Sequence, residues 1–158
     1  LVSQFATKSI AGNDMASFEN QMRAFARRAN MSVEKTVKGT VIKLFSAVIK
    51  SSPVDTGRFR ANWTAAGVQP STVTTDMTDK SGASATGAMV NYINSAKGQT
   101  VFTMANNLPY AHVIEYGGYP GDGPNTVGGF SKQAPQGVVR VNVSRFEAIL
   151  EEQARANR

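Results

Sequence analysis

Met15, Phe18, Met22, Phe25, Ala29, Val33, Val37, Val41 and Leu44 recur at steps of three or four, which places them on one stripe of a helix. The pattern runs from Asn13 or Asp14, both suitable N-caps, to Lys50, and Ser51-Ser52-Pro53 is a suitable stop. Unbroken, such a helix reaches ~55 Å at about 1.5 Å per residue. A compact domain of 158 residues is only ~40 Å across. The chain therefore either bends at Asn30-Met31-Ser32, where Ser32 suits the cap of a second helix, or sends the helix past its own body to pack on a neighbouring chain.

The remainder alternates short elements. Phe59, Ala61, Trp63 and Ala65 fall on one side of an extended reading, with Arg58, Arg60, Asn62 and Thr64 on the other, which predicts a half-buried strand. The turn before it is set by Asp55 and Gly57. A second strand is expected near Ser71–Met77, a short helix from Ala85 to Ala96, and a strand over Thr100–Asn106. Tyr110–Tyr116 reads as a short helix closed by Gly117. Residues 117–135 hold six Gly and three Pro, the composition of a long flexible loop. A final helix is expected from near Pro135, with a strand over 138–143 as the alternative and Ser144 with Glu147 as a capping box. The pattern is α+β: a long N-terminal amphipathic helix and a C-terminal helix packed on a small, mostly antiparallel sheet, with a long Gly/Pro-rich loop. It divides into an N-terminal arm, 1–12, and a single domain, 13–158.

Composition narrows the chemistry. The chain has no cysteine, which removes disulfides, thiolate metal sites and a cysteine nucleophile. Its one histidine removes multi-histidine metal sites and leaves any triad to His112. No apolar run approaches the ~18 residues of a membrane-spanning helix. Leu1-Val2-Ser3-Gln4-Phe5 lacks the basic start and apolar stretch of a secretory signal, and the missing initiator Met leaves room for preceding residues. Residues 1–60 carry ten of the seventeen Lys and Arg against four acids, and so the whole net charge of +6. Such one-sidedness suits an acidic partner, protein or nucleic acid, and equally a solvated face.

His112 and Glu115, three apart on a helix, have the spacing of a general-base pair, but no G-x-S-x-G nucleophile elbow accompanies them. The glycine-rich loop has no phosphate-binding fingerprint, and Gly121–Asn125 misses calcium-loop spacing. Arg58 and Arg60, interleaved with Phe59 and Trp63, resemble a nucleic-acid patch. Alternation puts the aromatics on the opposite face, which suits a core better than a stacking platform. The expectation is a non-catalytic protein without cofactor or metal.

Three segments carry a further signal: S-P-V-D-T-G-R-F-R-A-N-W at Ser52–Trp63, N-L-P-Y-A-H-V-I-E-Y-G at Asn107–Gly117, and S-K-Q-A-P-Q-G-V-V-R at Ser131–Arg140. In this order, after a long amphipathic helix, they resemble the neck or tail-completion proteins of long-tailed double-stranded DNA bacteriophages, a tail-component family related to minor tail protein Z of phage lambda. The resemblance spans about residues 13–155. It implies a virion protein of the neck, assembled in the host cytoplasm and added late to the tail. There it would form a homo-oligomeric ring, six copies preferred over twelve, between tail-terminator and head-closure proteins. On that reading Pro53, Asp55, Gly57, Trp63, Tyr110, Tyr116, Gly117 and Pro135 are structural. Arg23, Arg27, Arg28, Arg58, Arg60, Tyr119 and Phe130 are the interface candidates. A basic DNA-binding accessory protein is the alternative, and direct DNA contact is left open.

Overall fold

A computed structural model of the chain describes residues 10–157, with side chains from Phe18 onward. The N-terminal stripe forms one unbroken helix, α1 (Ile10–Ser51). It starts a turn ahead of the expected caps Asn13 and Asp14, and it does not bend at Asn30–Ser32. Instead of capping a second helix, Ser32 donates its hydroxyl to the carbonyl of Asn157 at the chain's far end. At about 1.5 Å per residue α1 spans ~63 Å. Residues 1–9 of the expected arm lie outside the described residues, and 10–12 are helical.

Among the described side chains of α1, those of its second half are the packed ones. Phe45, Val48 and Ile49 meet Ala85, Met89 and Ile93 of α3 (Ala83–Ser95) in a core that also takes in Leu108 and Val138. On another side α1 packs against α6 (Phe146–Ala156). Beyond Ser51 the expected strand over 58–65 is replaced by a one-turn helix, α2 (Arg58–Ala61), and a strand of three residues, β1 (Thr64–Ala66). Phe59 and Trp63 are four apart, so they share a face in a helical turn as well as in a strand. Gly57 settles the choice. With φ 90° it turns the chain in the left-handed region, and its carbonyl accepts the N–H of Ala61.

β1 pairs antiparallel with β2 (Thr103–Ala105), Ala65 opposite Met104. The expected strand at 71–77 does not form, because side-chain amides replace a ladder. The fully buried Asn62 accepts the Thr75 N–H (2.7 Å) and donates to the Thr75 carbonyl (3.0 Å). Asn107 donates to the carbonyls of Ser71 and Val73. α4 (Ala111–Tyr116) ends at Gly117 as expected. The Gly/Pro-rich stretch contains a hairpin, β3 (Thr126–Val127) and β4 (Phe130–Ser131), turned by Gly128 and Gly129. Both glycines have positive φ, 57° and 79°, as a two-residue type I′ turn requires. Residues 138–143 are not a strand, and the last helix starts later than Pro135. α5 (Val139–Val143) is followed by α6, with a break at Ser144 and Arg145. The capping box does not form, since the Ser144 hydroxyl donates backwards to Val141. The architecture is α+β, with two small antiparallel ribbons set against a helical core.

Candidate functional site

Two surfaces stand out, one at each end of α1. At its N-terminal end every described side chain from Phe18 to Met31 except Ala24 is exposed. Phe18, Met22 and Phe25 lie on one stripe and are 61%, 50% and 62% exposed. An isolated helix is marginal in water, and packing of its apolar face supplies most of its stability. A stripe of large apolar groups on a helix that has outrun its own body is therefore a surface built to be covered. Arg23, Arg27 and Arg28 stand on the same segment. None of them forms an ion pair or hydrogen bond with the described residues.

At the other end, just past Ser51, lies a cleft of about 460 Å³. The three segments singled out in the sequence converge on it. The turn after α1 supplies Val54 and Asp55, α2 supplies Phe59, Tyr110 comes from the N-cap position of α4 and Ile114 from α4 itself, and the hairpin region supplies Tyr119 and Gln133. The cleft is held open by a side chain that imitates a strand: the Gln133 amide accepts the Val54 N–H (2.8 Å) and donates to the Val54 carbonyl (3.0 Å). The Phe59 ring is stacked edge-on against Trp63 at 5.6 Å and lies 6.1 Å from Tyr110, which fixes the floor. Asp55 is the one charged residue lining the cleft, and its carboxylate is exposed and has no partner among the described residues. Partial burial raises the Tyr110 hydroxyl above its ordinary pKa, opposed by Arg58 and reinforced by Tyr119 and Asp55. The phenol stays neutral.

The family model described as "Bacteriophage HK97-gp10, putative tail-component" matches residues 16–117, from the projecting part of α1 through α4. The chain belongs to this bacteriophage tail-component family. No curated protein and no solved structure matches it. The match includes the first two of the three sequence segments, and the third, Ser131–Arg140, lies beyond it.

In this phage tail component the predicted interface residues are distributed unevenly. Arg23, Arg27 and Arg28 face outwards on α1. Arg58 and Arg60 are half-buried and engaged by their own fold. Arg58 pairs with Asp76 (2.6 Å), while Arg60 donates to the carbonyls of Lys50, Ser52 and Lys80, two of which close the C-terminal end of α1. Tyr119 lines the cleft, and the half-buried Phe130 ring covers the backbone at Gly117. Among the residues expected to be structural, Trp63 is buried and donates its indole N–H to Ser52 Oγ (2.7 Å). Tyr116 is exposed, with the Arg140 guanidinium 5.2 Å above its ring; Pro53 lines the cleft, and Pro135 forms an isolated bridge with Gly137.

His112 is exposed. Both oxygens of Glu115 are taken up by the N–H groups of Val138, Val139 and Arg140 at the start of α5. Sequence reasoning missed this cap and a second one at Asp79. The Asp79 carboxylate gathers the N–H groups of Ser81, Gly82 and Ser84 and two serine hydroxyls ahead of α3. The run Asp79-Lys80-Ser81-Gly82-Ala83-Ser84 carries that signal in its Asp and Ser spacing.

Proposed function

We propose that this tail component completes the phage tail at the neck by forming a closed ring of identical subunits, six rather than twelve. The ring would lie between the tail-terminator and head-closure proteins. The observation that carries this reading is the exposed stripe Phe18, Met22 and Phe25 on a helix that leaves its own body. A ring needs two different, complementary patches on each subunit. A surface at each end of a ~63 Å helix supplies patches far enough apart for head-to-tail contact. The role is structural rather than catalytic, a reading supported by the engagement of both Glu115 oxygens in capping α5.

The test is light-scattering mass of the purified protein across salt concentrations, alone and with purified tails of the same phage. A ring-sized mass, free or on tails, is the expected result. A protein that ignores tails yet binds DNA with an affinity falling steeply with salt would replace this reading by a nucleic-acid one. His112→Ala is expected to leave assembly unchanged.

A further inference from the structure

The cleft beside Asp55 has a specific composition: an apolar floor of Phe59 and Ile114, two tyrosines whose hydroxyls make no hydrogen bond to the described residues, and one carboxylate unpaired among them. A lone aliphatic side chain would leave that carboxylate unanswered, and a lysine lacks the planar fork that pairs bidentately with a carboxylate and lies flat on a tyrosine ring. An arginine fits both demands. Its stem packs on apolar groups, its planar head stacks on tyrosine, and its fork pairs with a carboxylate. We infer that the cleft is a receptor for an arginine side chain, and that the arginine comes from the projecting part of α1 in a second copy of this chain.

The choice of occupant rests on charge and on reach. The exposed segment Phe18–Met31 carries three arginines and one acid, Glu19, and those arginines have no partner among the described residues. Of the three, Arg28 stands three residues after Phe25, beside the apolar stripe, so a surface that covers the stripe also meets Arg28. Arg28 cannot serve its own cleft, because the helix holds it about 35 Å from Ser51. The contact is therefore made in trans, from the N-terminal end of one α1 to the C-terminal end of the next. It is head-to-tail, the kind of interface that closes into rings or runs on as filaments. This inference rests on the ring-forming reading above and specifies its interface.

The experiment uses three arms on the full chain, with the same light-scattering readout with and without tails. Asp55→Arg is expected to raise the concentration needed for assembly about tenfold or more, Arg28→Asp to do the same, and the double variant to recover most of the loss. The Asp55 carboxylate makes no bond to the described residues, so circular dichroism of Asp55→Arg should match the wild type; Asp55→Asn is the milder second variant. Because the chain has no cysteine, Ala29→Cys with Thr56→Cys in one chain gives a clean cross-linking pair. A short bismaleimide should then yield a ladder that needs both cysteines. If the wild type assembles but Asp55→Arg assembles equally well, or if Ala29→Cys alone cross-links into dimers, the cleft is not the receptor while the ring reading survives. A wild type that stays monomeric with and without tails removes the ring reading and this interface together.

Discussion

Glu115 and Arg140 are joined three times. The Arg140 backbone N–H (3.0 Å) and Nε (3.2 Å) donate to Glu115 Oε1, and the guanidinium Nη2 donates to the Glu115 carbonyl. The carboxylate also accepts the N–H groups of Val138 and Val139, so the end of α4 and the start of α5 behave as one unit. The Glu115 side chain is only 13% exposed, which limits solvent screening. Glu115→Gln places an amide NH₂ against backbone donors and removes the charge. It should destabilise the protein by about 2 kcal/mol in urea unfolding. A loss below about 0.5 kcal/mol would show that the cap contributes little.

Acid should weaken the fold through carboxylates whose pKa is lowered, Glu115 and Asp79 among them. Burial raises the Glu115 pKa, but the N–H groups of Val138, Val139 and Arg140 and the Arg140 side chain outweigh it, and the net shift is downward. The Ser81 hydroxyl, with the N–H and hydroxyl of Ser84, holds Asp79 well below the usual carboxylate range. A lowered folded pKa means stabilisation complete above the unfolded value, about 4, and lost as pH falls through the folded one. Melting temperature should be flat from neutral pH to about 5 and fall below it. Asp79→Asn should lower the melting temperature at neutral pH and flatten the acid limb. An unchanged acid limb would assign the effect elsewhere.

Gly57→Ala should be among the most damaging single changes outside the core. Gly57 has φ 90°, and a Cβ there would lie 2.5 Å from the backbone of both Asp79 and Lys80. The left-handed conformation alone costs an alanine about 1 kcal/mol, and a clash with backbone rather than a mobile side chain adds to it. A loss of at least about 2 kcal/mol is expected by urea or thermal unfolding.

Ser52 links the end of α1 to the buried Trp63. Its hydroxyl accepts the indole N–H (2.7 Å) and donates to the Val48 carbonyl (2.8 Å). Ser52→Ala strands a buried donor and should cost about 1–3 kcal/mol. Trp63→Ala, which empties the floor under Phe59, should cost about 3–5 kcal/mol. Tryptophan fluorescence follows the first variant directly, and an unchanged emission maximum and stability would contradict the bond.

Phe25→Asp separates folding from assembly. Phe25 is exposed and beyond the packed half of α1, so the fold should change by no more than about 0.5 kcal/mol. The same change places a charge in the apolar stripe and should abolish ring formation in light scattering. Arg27→Ala with Arg28→Ala should weaken assembly with folding intact, and undiminished assembly would remove that helix face from the interface.

Period and punctuation made several elements legible in the sequence. The stripe from Met15 to Leu44, the apolar spacing of Ala85, Met89 and Ile93, and Gly117 after Tyr116 each report local geometry that one segment carries by itself. Phe59–Ala65 misled because residues four apart satisfy both a strand and a helical turn, and only the left-handed Gly57 distinguishes them. Ser71–Met77 misled because its backbone partners are the side chains of Asn62 and Asn107, far along the chain. The hairpin around Gly128 and Gly129 was legible in principle, as two glycines between Val127 and Phe130, but the surrounding Gly and Pro masked it.

The sequence by itself determined that α1 would be long, amphipathic and basic, because periodicity and charge are local properties, and two of the three segments that carry the family resemblance fall within the matched residues 16–117. Tertiary structure alone decided that α1 runs straight past Ser32, leaving Phe18, Met22 and Phe25 uncovered, and that those three segments meet around Asp55. Which face of a helix finds a neighbour, and which carboxylate is left without one, depends on contacts between residues distant in the chain. Those contacts exist only once α3, α4 and α6 have docked against the second half of α1 and the turn that follows it.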